Sequence, residues 1–127
     1  PQKVLVTNNE ETLTKLKGCT RCHFDAPCAM LICYNKDECW TRPYDGAKSA
    51  PVDASIVTCH MMLEAESIGL NSVWVCAFNK EKVKNAFNLP DNIVPFCLLP
   101  VGYKSDECEP NPRHFQRQSI EDFVKFI

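Results

Sequence analysis

The sharpest chemical spacing in the chain is Cys19-Thr20-Arg21-Cys22-His23. In a C-x-x-C-H run, two thiols can form thioethers to the vinyl groups of a haem while the histidine ligates its iron. Met30, Met61 and Met62 are the candidates for a second axial ligand, although each also reads as core. Cys19, Cys22, His23 and Cys28 have the ligand types of a zinc site, but no second C-x-x-C or H-x-x-x-H follows to pair with them. The plain alternative is a set of ordinary thiols near a helix end. His60 lies between Cys59 and Met61 in an apolar helical stretch. It reads as a hydrogen-bonded core or interface residue rather than a base, and no neighbouring side chain completes a triad with it. Arg113 and Arg117 sit in a polar stretch near the C-terminus. Each is either solvated charge or a guanidinium fork able to grip a phosphate through paired hydrogen bonds.

These residues must be held by elements, and the chain is organised around residues 51–70, PVDASIVTCHMMLEAESIGL. Val52, Ile56, Cys59 and Leu63 recur at helical spacing, as do Val57, Met61, Ala65 and Ile68. Two such stripes predict a helix buried on more than one side. Pro51 suits the first turn, Asp53 the positive end of the helix dipole, and Gly69 the left-handed stop. Residues 3–7 read as a strand, followed by a helix capped at Asn8 or Asn9, with Leu13 and Leu16 inward and Gly18 at its end. The runs AMLICY (29–34) and SVWVCAF (72–78) predict buried strands, with a polar loop over 35–49. Asn79 caps a short helix carrying Val83, Ala86 and Phe87. Residues 93–103 form a third apolar run, in which Pro95 and Pro100 predict an edge, a bulge or a late start. After a polar tail, Ser119 caps a last helix with Ile120, Phe123 and Val124 on its apolar side. The alternation with irregular connections predicts an α+β layered domain.

With 127 residues, the chain is expected to form one domain over residues 1–127. Its formal charge is -2, and no basic block or arginine–aromatic interleaving points to nucleic acid. Its apolar runs are too short to span a bilayer, so no membrane partner is expected. Nine cysteines, several within apolar runs, read as free thiols in a reducing compartment and predict a cytoplasmic protein.

Taken together, the order of segments resembles the flavin-dependent nitroreductase family. The opening Pro1-Gln2-Lys3-Val4-Leu5-Val6 is similar to the segment just after that family's N-x-Q motif. Residues 50–70 resemble its central helix, through V-D-A-S-I-V, M-M-L-E-A and the closing G-L. Residues 72–78 match its flavin-side strand. Ala86-Phe87-Asn88-Leu89-Pro90, Val101-Gly102-Tyr103 and Arg117-Gln118-Ser119-Ile120-Glu121-Asp122 match later landmarks. The resemblance implies an α+β sandwich, mainly antiparallel sheet packed against a long central helix. It also implies an intertwined homodimer with FMN in clefts at the interface, and ping-pong transfer of hydride from NAD(P)H to a nitroaromatic, quinone or similar acceptor. By the same resemblance, Trp74, Cys76 and Ala77 fall where the backbone passes the isoalloxazine ring, with an N–H of Cys76 or Ala77 donating to N5. Arg117 falls on the FMN phosphate, with Arg113 as its alternate. The family's first helices, its R-x-S-x-R motif and N-x-Q would precede Pro1, so the chain resembles the C-terminal two-thirds of such a domain. Cys76 and Ala77 replace an acidic residue and a glycine common in some relatives. The alternative is a flavin-free, non-catalytic domain, or a small metal or haem protein using Cys19, Cys22 and His23.

Overall fold

The computed structural model describes residues 1–127. Four strands, β1 (Gln2–Thr7), β2 (Cys28–Asn35), β3 (Asn71–Ser72) and β4 (Ile93–Gly102), form one antiparallel sheet in the order β1-β2-β4-β3. Helices α1 (Glu10–Lys17), α2 (Ala50–Ser67), α3 (Lys80–Ala86) and the single turn α4 (Ile120–Phe123) complete the chain. β2 is covered on both faces, which is why it reads as an unbroken apolar run. Leu31 and Cys33 point toward Leu16 of α1 and Val83 of α3. Ile32 and Met30 point the other way, into the cluster around Ala54 of α2. The result is an α+β sandwich with α1 and α3 on one face and the long α2 on the other.

α2 packs through small residues. Ala50, Ala54, Thr58 and Ala65 are buried, and the Thr58 hydroxyl donates to the Ala54 carbonyl at 2.7 Å. The expectation of burial on more than one side is corrected: Val52 is 60% exposed, Ile56 51% and Leu63 64%. The chain's own layers offer this helix one partner surface only. The helix stops as its sequence requires. Gly69 adopts φ +80°, its N–H donates to the Glu66 carbonyl and the Leu70 N–H reaches the Ala65 carbonyl at 2.8 Å.

The two prolines of β4 act locally. The strand is interior rather than an edge. Pro95 lies at a bulge, where the register moves from Ile32↔Cys97 to Cys33↔Pro95 and leaves Phe96 unpaired. Pro100 explains why residues 72–78 do not form the continuous buried strand expected of them. The pairs Asn71↔Gly102, Ser72↔Val101 and Val75↔Leu98 share one register. Between them Val73 donates to the Pro100 carbonyl, but Pro100 has no N–H to return. The ladder therefore breaks after Ser72 and resumes only as a bridge at Val75.

Residues 103–127 are exposed throughout. The last hydrogen bond tying them to the sheet layer is from the Lys104 N–H to Asn71 Oδ1, at 3.1 Å. Ser119 does cap a helix, but Ile120 and Phe123 on its apolar side are 73% and 80% exposed. No helix is long and apolar enough to cross a membrane.

Candidate functional site

The segment after β3 runs along the sheet edge and then turns sharply. Val75 exchanges two 2.9 Å hydrogen bonds with Leu98, so strand alternation turns the N–H groups of Trp74 and Cys76 away from β4. The Phe78 N–H then closes on the Cys76 carbonyl at 3.0 Å, a three-residue turn about Ala77. As a consequence, the N–H groups of Cys76 and Ala77 have no acceptor within the chain. Both residues are exposed, so these donors are open to water or to a ligand.

A second segment fixes that turn from behind. The Thr20 hydroxyl donates to the Ala77 carbonyl at 2.6 Å and accepts the Cys22 N–H at 3.0 Å. The Asn79 N–H donates to the Cys19 carbonyl at 3.0 Å. Between the two segments and the first turn of α3 lies a cavity of about 660 Å³, bordered by Lys17, Thr20, Arg21, Ala77, Asn79 and Lys82 among others. That size falls within the range of small-molecule sites. Three of the bordering side chains are cationic and none is acidic. The Cys19 thiol at its wall is buried and donates to the Lys15 carbonyl. Burial pushes this thiol's pKa up and disfavours the thiolate, against the opposing pull of the Lys82 charge.

The candidate residues named from sequence separate into two groups. Trp74, Cys76 and Ala77 share one short segment. The Trp74 ring packs edge-on against Phe96, with centroids 6.2 Å apart, and its indole N–H points to the Cys76 sulfur at 3.2 Å. Arg113 lies in a 3-10 turn, Pro112–Phe115, and Arg117 donates to the Gln116 carbonyl at 2.7 Å. Both stand in the exposed tail, and no hydrogen bond or ion pair within the chain joins them to the Trp74–Ala77 segment. No local spacing marks Thr20, Arg21 and Lys82 as a site, because their segments meet through the Thr20–Ala77 bond, 57 positions apart, and the Asn79–Cys19 bond.

The Cys19-x-x-Cys22-His23 run is drawn toward the core rather than gathered around one point. Cys19 and Cys22 both pack on the core cluster shared with α1 and α3. Met30, Met61 and Met62 pack on the other core cluster, around Ile32 and Ala54. His23 Nδ1 instead accepts the Asp25 N–H at 3.1 Å, and no three potential ligands converge anywhere in the chain.

Comparison with known proteins agrees with this architecture. A nitroreductase family protein from Clostridium difficile 630 superposes with a TM-score of 0.91 at 42% identity, covering 99% of this chain and 73% of that one. An FMN-dependent nitroreductase from Clostridium difficile R20291 shares the fold, with a TM-score of 0.73 at 21% identity over 98% of this chain and 74% of its own. A curated relative from Methanothermobacter thermautotrophicus, provisionally named an NADH dehydrogenase/NAD(P)H nitroreductase, is 26% identical over 91 residues, which are 65% of this chain. The chain spans only 42% of that relative's length. Residues 2–103 match the model of the Nitroreductase family, covering every strand and the helices that sandwich them. The chain therefore belongs to the nitroreductase family.

Proposed function

We propose that this chain is part of an FMN-dependent oxidoreductase that takes hydride from NAD(P)H and passes it to a nitroaromatic, quinone or similar acceptor in ping-pong order. The observation that carries this reading is the pair of unpartnered backbone donors at Cys76 and Ala77, beside a cavity of ligand size. When bound, FMN would supply the redox chemistry. The chain's own contribution is orientation. Thr20 fixes the Ala77 carbonyl, the Phe78 N–H fixes that of Cys76, and the two free N–H groups are thereby held toward any ring acceptor placed against them. Because the donors are backbone atoms, replacing an acidic residue and a glycine by Cys76 and Ala77 keeps them available.

The same reading calls for a second copy of the chain. The exposed stripe of α2 and the exposed apolar residues of the tail, Phe115, Ile120 and Phe123 among them, are surfaces that pairing would cover. A tail docked on a partner copy would carry Arg113 and Arg117 to a phosphate that they do not meet within one chain. All nine cysteines are free, which suits the reducing conditions of cytoplasm.

The test is direct. FMN added to the purified protein should bind as a yellow chromophore that NADH bleaches and that a nitroaromatic or quinone restores. If the intact natural protein neither binds flavin nor oxidises NAD(P)H, the reading is wrong.

A further inference from the structure

Arg21 and Lys82 border the cavity beside Ala77, and neither takes part in an ion pair. The third cation, Lys17, is already paired with Asp25 at 2.7 Å. No carboxylate borders the cavity, although the chain as a whole carries a formal charge of -2. A positive pocket on a net negative protein is a local field, not a by-product of overall charge. The two free cations come from different segments, one on the loop after α1 and the other in the first turn of α3. The Asn79–Cys19 and Thr20–Ala77 hydrogen bonds hold those segments together.

We propose that this pocket recognises an anionic substituent, a carboxylate or phosphate, on the small molecule that exchanges electrons at the Ala77 turn. Arg21 and Lys82 determine that specificity. Arg21 presents a planar fork that matches such a group through two parallel N–H donors, and Lys82 presents a point charge. Both side chains are exposed and long enough to follow a ligand into the cavity. A neutral analogue of the same shape would gain neither contact. This inference rests on the proposed reading that the cavity is the redox site, and it concerns the acceptor rather than the flavin.

The probes are 4-nitrobenzoate and 4-nitrobenzamide, which differ in charge but hardly in shape. Binding to the full chain, with and without FMN, is followed by calorimetry at low and moderate salt. The carboxylate should bind about tenfold more tightly than the amide, the scale expected of a hydrogen bond to a charged group. Added salt should shrink the difference. Arg21→Ala and Lys82→Ala should each remove most of the preference, and Lys82→Glu should reverse it. With flavin bound, kcat/KM should follow the same order. Equal binding of the two probes, or a preference untouched in all three variants, overturns the proposal. It is also overturned if Lys82→Ala weakens FMN but leaves riboflavin and 4-nitrobenzoate unaffected, because the anion read would then be the flavin's own phosphate. If the intact natural protein neither binds flavin nor oxidises NAD(P)H while the probe preference persists, the FMN reading falls and the anion pocket stands.

Discussion

Thr20 joins two segments that lie 57 positions apart in the chain, and it does so with one buried hydroxyl that both donates and accepts. Thr20→Val keeps the shape and removes both bonds. It should cost about 2 kcal/mol, because the Ala77 carbonyl and the Cys22 N–H lose their partner together. Thr20→Ser should restore most of that, as read from urea midpoints, and a Val variant as stable as the parent would show that the clip contributes nothing. The buried thiols make a second residue-level prediction. Cys33 is fully buried, and desolvation, reinforced by nearby Cys97, pushes its pKa from an ordinary 9.0 up to about 12. Between those values the unfolded chain releases a proton that the folded chain keeps. Stability is therefore full below pH 9.0 and falls as pH rises toward about 12. Each pH unit in that window should cost about 1.4 kcal/mol for this thiol. Cys97 is also raised by burial, so Cys33→Ala should flatten the alkaline slope without abolishing it. A slope identical to the parent's would contradict the assignment. The cysteines also show what a residue pattern can mislead about. Cys19-x-x-Cys22-His23 has the spacing of a haem or metal motif, yet both thiols pack on the core because Leu16 and the α3 face need apolar neighbours there. Spacing reports sequence distance, and only the fold decides which side of the sheet a sulfur faces.

Elements whose signals are local were legible in the sequence. The Asn9 and Asn79 side chains accept the Thr12 and Lys82 N–H groups, and Ser119 accepts that of Asp122, so all three caps stand where the short polar side chains promised them. Gly69 ends α2 for a reason visible in one residue. Its φ of +80° strains any residue with a Cβ, while open space surrounds the position. Gly69→Ala should therefore lose about 1–2 kcal/mol from backbone strain alone. Gly69→Asn should lose less, since asparagine tolerates that conformation. Equal losses would point to some cause other than the backbone. The segment at residues 72–78 was not legible, because its apolar residues promise a strand while the disruption comes from Pro100, on another element. That disruption bears on the site: a segment that leaves the ladder early is free to turn at Ala77 and to present unpaired N–H groups. The cavity was likewise hidden, since its wall is built by the loop after α1 and the start of α3, each unremarkable alone.

At the scale of the whole molecule, the unresolved balance is apolar surface. Periodicity marks two apolar stripes on α2, but the chain buries Ala50, Ala54, Thr58 and Ala65, of which only Ala65 belongs to either stripe, and leaves Val52, Ile56 and Leu63 more than half exposed. Such a stripe is a cost in water unless something covers it, and the tail adds further exposed aromatic and aliphatic groups. The proposed second copy would cover both, and it makes a prediction in which folding and assembly separate cleanly. Ile56 is exposed within the chain and makes no part of either core cluster, so Ile56→Glu should leave the folded protomer intact. At a paired helix face it would place two buried charges near one another, which association cannot tolerate without partners for them. Sedimentation should show the parent as a dimer and Ile56→Glu as a folded monomer, with helical circular dichroism unchanged. If pairing also brings Arg117 to the flavin phosphate, the monomeric variant should bind FMN at least tenfold more weakly, on the order expected for losing charge-assisted hydrogen bonds. A parent that sediments as a monomer, or a variant that remains dimeric, would mean that α2 turns its apolar stripe toward something other than its own copy.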